Sequence, residues 1–464
     1  MGDASCKPAV RHLLSVFAIF CCLLVFSTAV GAAELSKADA RATLYESIKD
    51  LLTGAQFSPD LQKKQAVLRD MLERGTLKKS DLQGEAMQKM IIGLLDECQT
   101  SRYILKEVPA RVEKLLAPYM NWDEVREIVW KAGASVIPDG EKMVITIATL
   151  APSGTPWLNL PENVLMPQID KLSGGKVAMK IYAGGVMGED TDILRKMDIG
   201  QIDCCGCTAL GILAASPETS VLLIPGLFNN YDEVDYILNK FRKELDAACE
   251  KRGYILSALI DTGNFYLFSK NKISSLADIR KQKVLTWFGS VETTLFKELG
   301  IDATPVAVPE IISALSTGLA DTNLSPSAWM LGMQAYQYVN YYVKQPWLYS
   351  PGAAIVSINT KERLKKQFNV SDRFAYNIQE MLVYEVNTLE TEWKKESRLY
   401  EKKSLEAFEK KCGIKPVTLS PEDMETLKQA GIRTREKLAG KAFSKELMDK
   451  VIEALEEYRA RQKS

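Results

Sequence analysis

The side chains best suited to chemistry are few and closely grouped: Cys204, Cys205 and Cys207, the adjacent acids Glu189 and Asp190, and one histidine, His12. Three thiols at this spacing suggest a metal site, a disulfide or a nucleophile, and neighbouring carboxylates suggest a general base. The run Cys204-Cys205-Gly206-Cys207 lacks the second pair of cysteines that completes a zinc site. The simplest reading makes these residues small buried hydrophobes on or beside a strand. A disulfide to Cys249 and a reactive thiol are the alternatives. Glu189-Asp190 is more simply a solvated helix start, where the helix dipole favours acids. No catalytic residue, metal site or cofactor is expected.

The histidine lies in a segment with its own purpose. Lys7 and Arg11 precede an apolar run from Leu13 to Val30 that ends in Gly31, Ala32 and Ala33. This pattern predicts a secretory signal peptide over residues 1–33. A retained membrane anchor is the alternative, and bulky Phe20 before Cys21 speaks against a lipoprotein cleavage box. Cleavage after Ala33 removes His12, leaving no imidazole base, no Ser-His or Cys-His pair and no His-bearing zinc site. Six cysteines remain, Cys98 and Cys412 among them, and a chain of this length folds without cross-links. With 59 basic and 59 acidic residues overall, nothing favours nucleic acid or an anionic membrane surface as a partner.

These groups must be held by the surrounding elements. From Leu35 to about Ala134 apolar residues recur at spacings of three and four, as in Leu44, Ile48, Leu51 and Leu52, or Met87, Met90, Ile91 and Leu94. That spacing predicts an all-α N-terminal module over 34–136, with Ser58 capping a helix that begins at Pro59. A turn at Ile137-Pro138-Asp139-Gly140 ends the pattern. Strand candidates Met143–Leu150, Val177–Tyr182, Tyr254–Ile260, Tyr266–Ser269 and Lys283–Thr286 then alternate with helical stretches such as Glu189–Ile199 and Tyr231–Cys249. The alternation predicts α/β lobes with ligands at the carboxyl ends of the strands. Arg373–Lys411 contains neither proline nor glycine and is predicted as one long amphipathic helix across both lobes. Ser420 caps a further helix and Ser444–Gln462 forms the last.

From Met143 onward the chain resembles the DctP-type solute-binding proteins of tripartite ATP-independent periplasmic (TRAP) transporters. Thr149–Trp157 is similar to the family's opening strand and ligand loop. Tyr182–Gly188 followed by Leu194–Asp203 is similar to its glycine turn, helix and GxxD strand entry. Ile224–Phe228 is similar to Pro-Phe-Leu-Phe, with Gly226 in place of the first Phe. Leu276–Val284, Leu299-Gly300 and Glu310–Asp321 are similar to the second lobe. The resemblance implies a two-lobed periplasmic solute-binding fold over 137–464. Lobe 1 covers about 143–262 plus returning C-terminal segments, lobe 2 about 266–350 and a long lobe-spanning helix about 373–411. It also implies a periplasmic receptor, not an enzyme, that passes a small-molecule ligand to the membrane permease subunits of the transporter. The helical module lies outside the family pattern. It docks a partner or the permease or caps the receptor, and a scaffolding protein using this module is the alternative function.

The family holds organic acids through an arginine on a second-lobe strand. Leu285 stands at that position, and no Arg or Lys occurs from Val284 to Leu295. In place of the guanidinium stand Thr286, Trp287 and Phe288, with Trp157, Phe265, Trp329, Trp347 and Tyr349 on other segments. Thr155, Asn264 and Ser325 are expected polar contacts; Asp321 and Glu310 match family positions but suit structural roles equally well. Aromatics with a few hydroxyls fit an apolar or neutral solute. An organic acid held by a different cation is the competing expectation.

Overall fold

The structure, a computed structural model, describes residues 35–43, 46, 58–78, 81, 123, 126–127, 130, 134, 137–287, 289–369 and 372–463. The predicted signal peptide, most of the predicted N-terminal helices, Cys98 and Phe288 lie outside these residues. The chain divides into two compact units, Met1–Pro138 with Leu172–Gly174 and Val370–Met381, and Asp139–Lys171 with Gly175–Asn369 and Leu382–Ser464.

In the first unit the described residues before Pro138 are helical or turn, with no strand among them. Pro59–Glu73 is a helix whose Leu68 and Met71 are buried, three residues apart on one face. Ser58 precedes it, as its cap position requires.

The second unit is organised by ten described strands in one sheet: β1 Met143–Thr149, β2 Val177–Tyr182, β3 Cys204–Cys207, β4 Tyr254–Ser269, β5 Val284–Trp287, β6 Ala303–Val306, β7 Thr322–Pro326, β8 Tyr341–Val343, β9 Leu348–Ser357 and β10 Lys415–Val417. The main order is β2-β1-β3-β9-β4-β7-β5-β6. β1 runs parallel to β2 and β3, as β5 does to β6 and β7, while β9 is antiparallel to both β3 and β4. Each parallel set belongs to one lobe. β4 belongs to both, because its first half pairs with β9 and its second half with β7.

The two strands expected at Tyr254–Ile260 and Tyr266–Ser269 are therefore one strand of 16 residues. Gly263 and Asn264 break the sequence signal, yet the backbone passes through with a register shift between Asp261 and Gly263. A bulge of this kind bends a strand without ending it.

The helices that matter for the site are α1 Pro156–Leu160, α2 Asp190–Asp198, α3 Ala209–Ala215, α4 Ser290–Glu298, α5 Ser327–Gly332, α6 Asp372–Thr388 and α7 Glu390–Lys410. α1 runs into a π-turn over Pro161–Leu165, where Pro161 has no N–H to continue an α-helical ladder. The single long helix expected from Arg373 to Lys411 is two, with Leu389 between them. Likewise Tyr231–Cys249 divides into Tyr231–Lys240 and Arg242–Glu250. Ser420 caps the helix from Pro421 by accepting from the Asp423 N–H at 3.0 Å, as expected.

Candidate ligand-binding site

A cavity within the second unit lies against one face of the first-lobe sheet. Ile147 and Thr149 of β1, Met179 and Ile181 of β2, Cys204 and Gly206 of β3, and Ala354 and Val356 of β9 line it. Each pair is two residues apart, so all eight point to the same side of the sheet. Leu158 of α1, Pro161 and Leu165 of the π-turn, Val386 of α6 and Trp393 of α7 cover it. Trp157 from lobe 1 and Trp287 and Trp329 from lobe 2 bring both lobes to the same space. The cavity together with the solvent at its mouth spans about 880 Å³.

None of the 25 lining residues carries a formal charge. Apart from Trp329, the hydroxyl and indole groups among them are committed elsewhere. Thr149 Oγ1 donates to the Gly206 carbonyl at 2.6 Å, Thr208 Oγ1 to Asp190 Oδ2 at 2.6 Å and Thr262 Oγ1 to the Pro351 carbonyl at 3.0 Å. Trp157 Nε1 donates to the Asp261 carbonyl at 2.8 Å, Trp287 Nε1 to Ser325 Oγ at 3.1 Å and Trp393 Nε1 to the Pro156 carbonyl at 3.0 Å. Trp329 Nε1 is buried without a hydrogen-bond partner. Chemically the surface offers stacking faces and hydrocarbon, with almost no donors for an anion.

The tryptophans are held in place by their surroundings. Trp287 meets Phe265 edge-on at 5.0 Å between ring centroids and Trp329 at 6.0 Å. Ser325 fixes the Trp287 indole, so it positions a wall of the cavity and is absent from the lining. Phe265 likewise acts through Trp287.

Other expected contacts are placed elsewhere. Leu285 is buried in the core with 2% exposure and is absent from the lining; β5 pairs it with Asn323 of β7. Thr155 is fully buried at the start of α1, its hydroxyl donating to the Pro152 carbonyl at 2.7 Å. Trp347 packs against Phe296. Asp321 Oδ1 accepts from the Lys283 N–H at 3.0 Å, a structural role.

Asn264 and Tyr349 belong to the junction between α7 and β4. Glu401 of α7 accepts from the Asn264 main chain and side chain, both at 3.0 Å, from Tyr231 at 2.6 Å and from Tyr266 at 2.9 Å. One turn earlier Arg398 donates to Asp261 at 2.6 Å and forks onto both Asp235 oxygens at 2.7 Å. Tyr349 completes the shell of Asp261 at 2.6 Å. Burial pushes the Asp261 carboxyl up, opposed by the Arg398 charge beside it. The carboxylates of this junction thus lock the helix to the strand that both lobes share.

The lobes also touch at the start of α2. Glu189 and Asp190, expected as a solvated pair, are 6% and 0% exposed. Asp190 Oδ2 accepts from the Thr208 N–H and hydroxyl and from the Gly211 N–H, tying α2 to α3. Burial, with Glu189 beside it, pushes its carboxyl up to about 7. Burial also raises Glu189, whose carboxylate accepts from Val308 of lobe 2 at 2.6 Å. Close by, Gly185 has φ +78° and a Cβ there would stand 3.0 Å from Pro309 and 3.2 Å from Leu150. Glycine meets both demands at once.

The cysteines behave as small hydrophobes: Cys204, Cys205, Cys207 and Cys249 are buried and free, and Cys412 is free and part-buried. Burial drives the Cys204 and Cys205 thiols up, away from nucleophilic thiolate. Among the described residues no group of three or more His, Cys, Asp or Glu is arranged to hold a metal ion.

The reading from sequence missed the sheet face itself: Ile147, Met179, Ile181, Cys204, Gly206, Ala354 and Val356. The legible signal was the runs of small residues in these strands, Cys204–Cys207 and Gly352–Ala354.

The family model described as bacterial extracellular solute-binding protein, family 7 (DctP), matches residues 147–441. Solute-binding proteins from Verminephrobacter eiseniae and Chromohalobacter salexigens are 21% identical over 41% of this chain and 24% identical over 43% of it. The matches span 57% and 60% of those curated relatives' own length. A sugar acid binding protein from Advenella mimigardefordensis in complex with galactonate superposes with a TM-score of 0.59 at 21% identity, covering 69% of this chain and 99% of that one. A TRAP periplasmic solute-binding protein from Desulfovibrio salexigens with bound orotic acid gives a TM-score of 0.59 at 19% identity, with the same coverage of 69% and 99%. At these identities the structural likeness is one of fold.

Proposed function

The chain belongs to the bacterial extracellular solute-binding proteins of family 7, and from that premise we propose that it is a TRAP-type receptor whose solute is an apolar or neutral small molecule. The observation that supports this reading is the cavity lining, whose 25 residues include no charge. A carboxylate drawn into such a space suffers a desolvation penalty of roughly several kcal/mol with no cation to offset it. An uncharged solute suffers little, and the faces of Trp157, Trp287 and Trp329 reward it. In this reading the solute class departs from the galactonate and orotic acid bound by two structural neighbours.

The wider reading follows the family. Residues 1–33 act as a secretory signal peptide and residues 137–464 capture the solute in the periplasm, closing the lobes about β4 and β9. The loaded receptor then meets its membrane permease, and the helical module over 34–136 adds a surface for a protein partner.

Native mass spectrometry of receptor purified from its own periplasm, followed by calorimetry, tests the reading. The expected result is a bound neutral molecule and no measurable affinity for succinate. Micromolar or tighter binding of succinate overturns it.

A further inference from the structure

The cavity does not end at the tryptophans where the lobes meet. It continues under the first-lobe sheet, between that sheet and the layer formed by α1, the π-turn and the facing residues of α6 and α7. The floor of this inner part is a cross-strand pair of small residues, Gly206 of β3 opposite Ala354 of β9. The next row on this face holds Ile147 of β1, Cys204 of β3 and Val356 of β9, and Thr149 of β1 lies beside Gly206. A Cβ on Gly206 would stand 3.1 Å from Thr149 Oγ1, so the missing side chain keeps the floor low. Gly206, Ala354 and Ile147 are only half-buried although they sit on interior strands, as expected where space lies against them. A groove with a flat floor, apolar walls and no free hydroxyl is a shape for hydrocarbon.

We propose that the solute carries an unbranched hydrocarbon chain that lies in this groove, with any polar end left beside the tryptophans. The inference rests on the reading of the protein as a receptor for uncharged solutes and narrows it. A compact ring confined to Trp157, Trp287 and Trp329 leaves the groove empty, and unfilled apolar space forfeits the dispersion contacts of its walls. A chain recovers them carbon by carbon. A polar group at the inner end finds the Thr149 hydroxyl hydrogen already donated to the Gly206 carbonyl, so the buried end of the solute is the apolar one.

Calorimetry on the full chain with straight-chain 1-alkanols of increasing length tests this, with indole as the compact neutral comparison. Affinity is expected to rise about fourfold per added methylene until the groove is full, then to level off. Ala354→Phe, which fills the floor, is expected to abolish that rise, and Ala354→Val, which intrudes less, to bring the levelling to shorter chains. The second variant keeps the test decisive if the first does not fold. Length-independent alkanol binding, no alkanol binding, or a length dependence unchanged in Ala354→Val overturns the chain proposal. Tight indole binding in that case leaves the neutral-solute reading standing. Binding of small organic acids in place of both probes overturns that reading as well.

Discussion

The main-chain N–H of Val308 donates to the Glu189 carboxylate at 2.6 Å, so an acid of the first lobe grips the backbone of the second. A hydrogen bond to a charged, buried acceptor contributes about 1.5–3 kcal/mol. Glu189→Ala is expected to loosen the contact and raise the radius of gyration of the unliganded protein in solution scattering. Glu189→Gln, which keeps an acceptor oxygen, is expected to retain most of the wild-type profile. Identical profiles for Glu189→Ala and wild type would show that the lobes are held by other contacts.

A second prediction concerns pH. Glu292 on α4 is 4% exposed, one of its oxygens has no partner, and burial pushes its carboxyl up to about 7. Its folded pKa exceeds the unfolded value, so the folded state binds this proton more tightly. The associated stability is complete below the ordinary carboxylate range and is lost as pH rises through about 7. Asp190 acts in the same direction. Glu292→Gln is expected to be more stable than wild type at pH 8, by on the order of 2–3 kcal/mol, with a flatter profile below neutrality. Denaturant titrations across this range decide it; parallel curves for the two proteins would refute the assignment.

The junction of α7 with β4 yields a third. Arg398 is the cation in contact with buried Asp261, and removing one member of a buried pair costs about 3–5 kcal/mol. Arg398→Ala is expected to destabilise by about that amount. Adding Asp261→Asn to it is expected to recover part of the loss, because the stranded charge is gone. Strict additivity of the two changes, measured by denaturation, would mean that the residues are not coupled.

Leu285 supplies the fourth. From the family pattern alone, Leu285→Arg reads as the restoration of an acid-binding site. Its burial in the hydrophobic core opposite Asn323, outside the cavity lining, gives a different expectation: burying a guanidinium there costs roughly several kcal/mol, and no affinity for acids appears. A folded Leu285→Arg variant that binds succinate would contradict this. Trp287→Ala, two residues on, is expected to weaken solute binding by about 1–3 kcal/mol.

Much of this was legible along the chain. Alternating strand and helix signals, the ordered motifs from Thr149 to Asp321, the cap at Ser420 and the bland character of Cys204, Cys205 and Cys207 are local properties. Propensity, turn chemistry and side-chain size express them within a few residues. Trp157 and Trp287 were visible for the same reason, as large aromatics beside turn residues at strand ends.

The remaining features were decided by tertiary structure. The first-lobe strands are covered on both faces, so Ile147 and Ala148, or Cys204 and Cys205, look equally apolar and the period of two that would reveal the cavity face is lost. Whether Leu285 or Trp287 reaches the cavity depends on where β5 lies against β7. Whether Asn264 serves a ligand or the junction of α7 with β4 depends on Glu401, 137 residues further on. The same distance in sequence hides the ion pair of Asp261 with Arg398, and Glu189 reads as a solvated helix start until Val308 of the other lobe removes its water. A residue's composition and spacing set which element it joins; only the packing of elements far apart in the chain sets what its side chain faces.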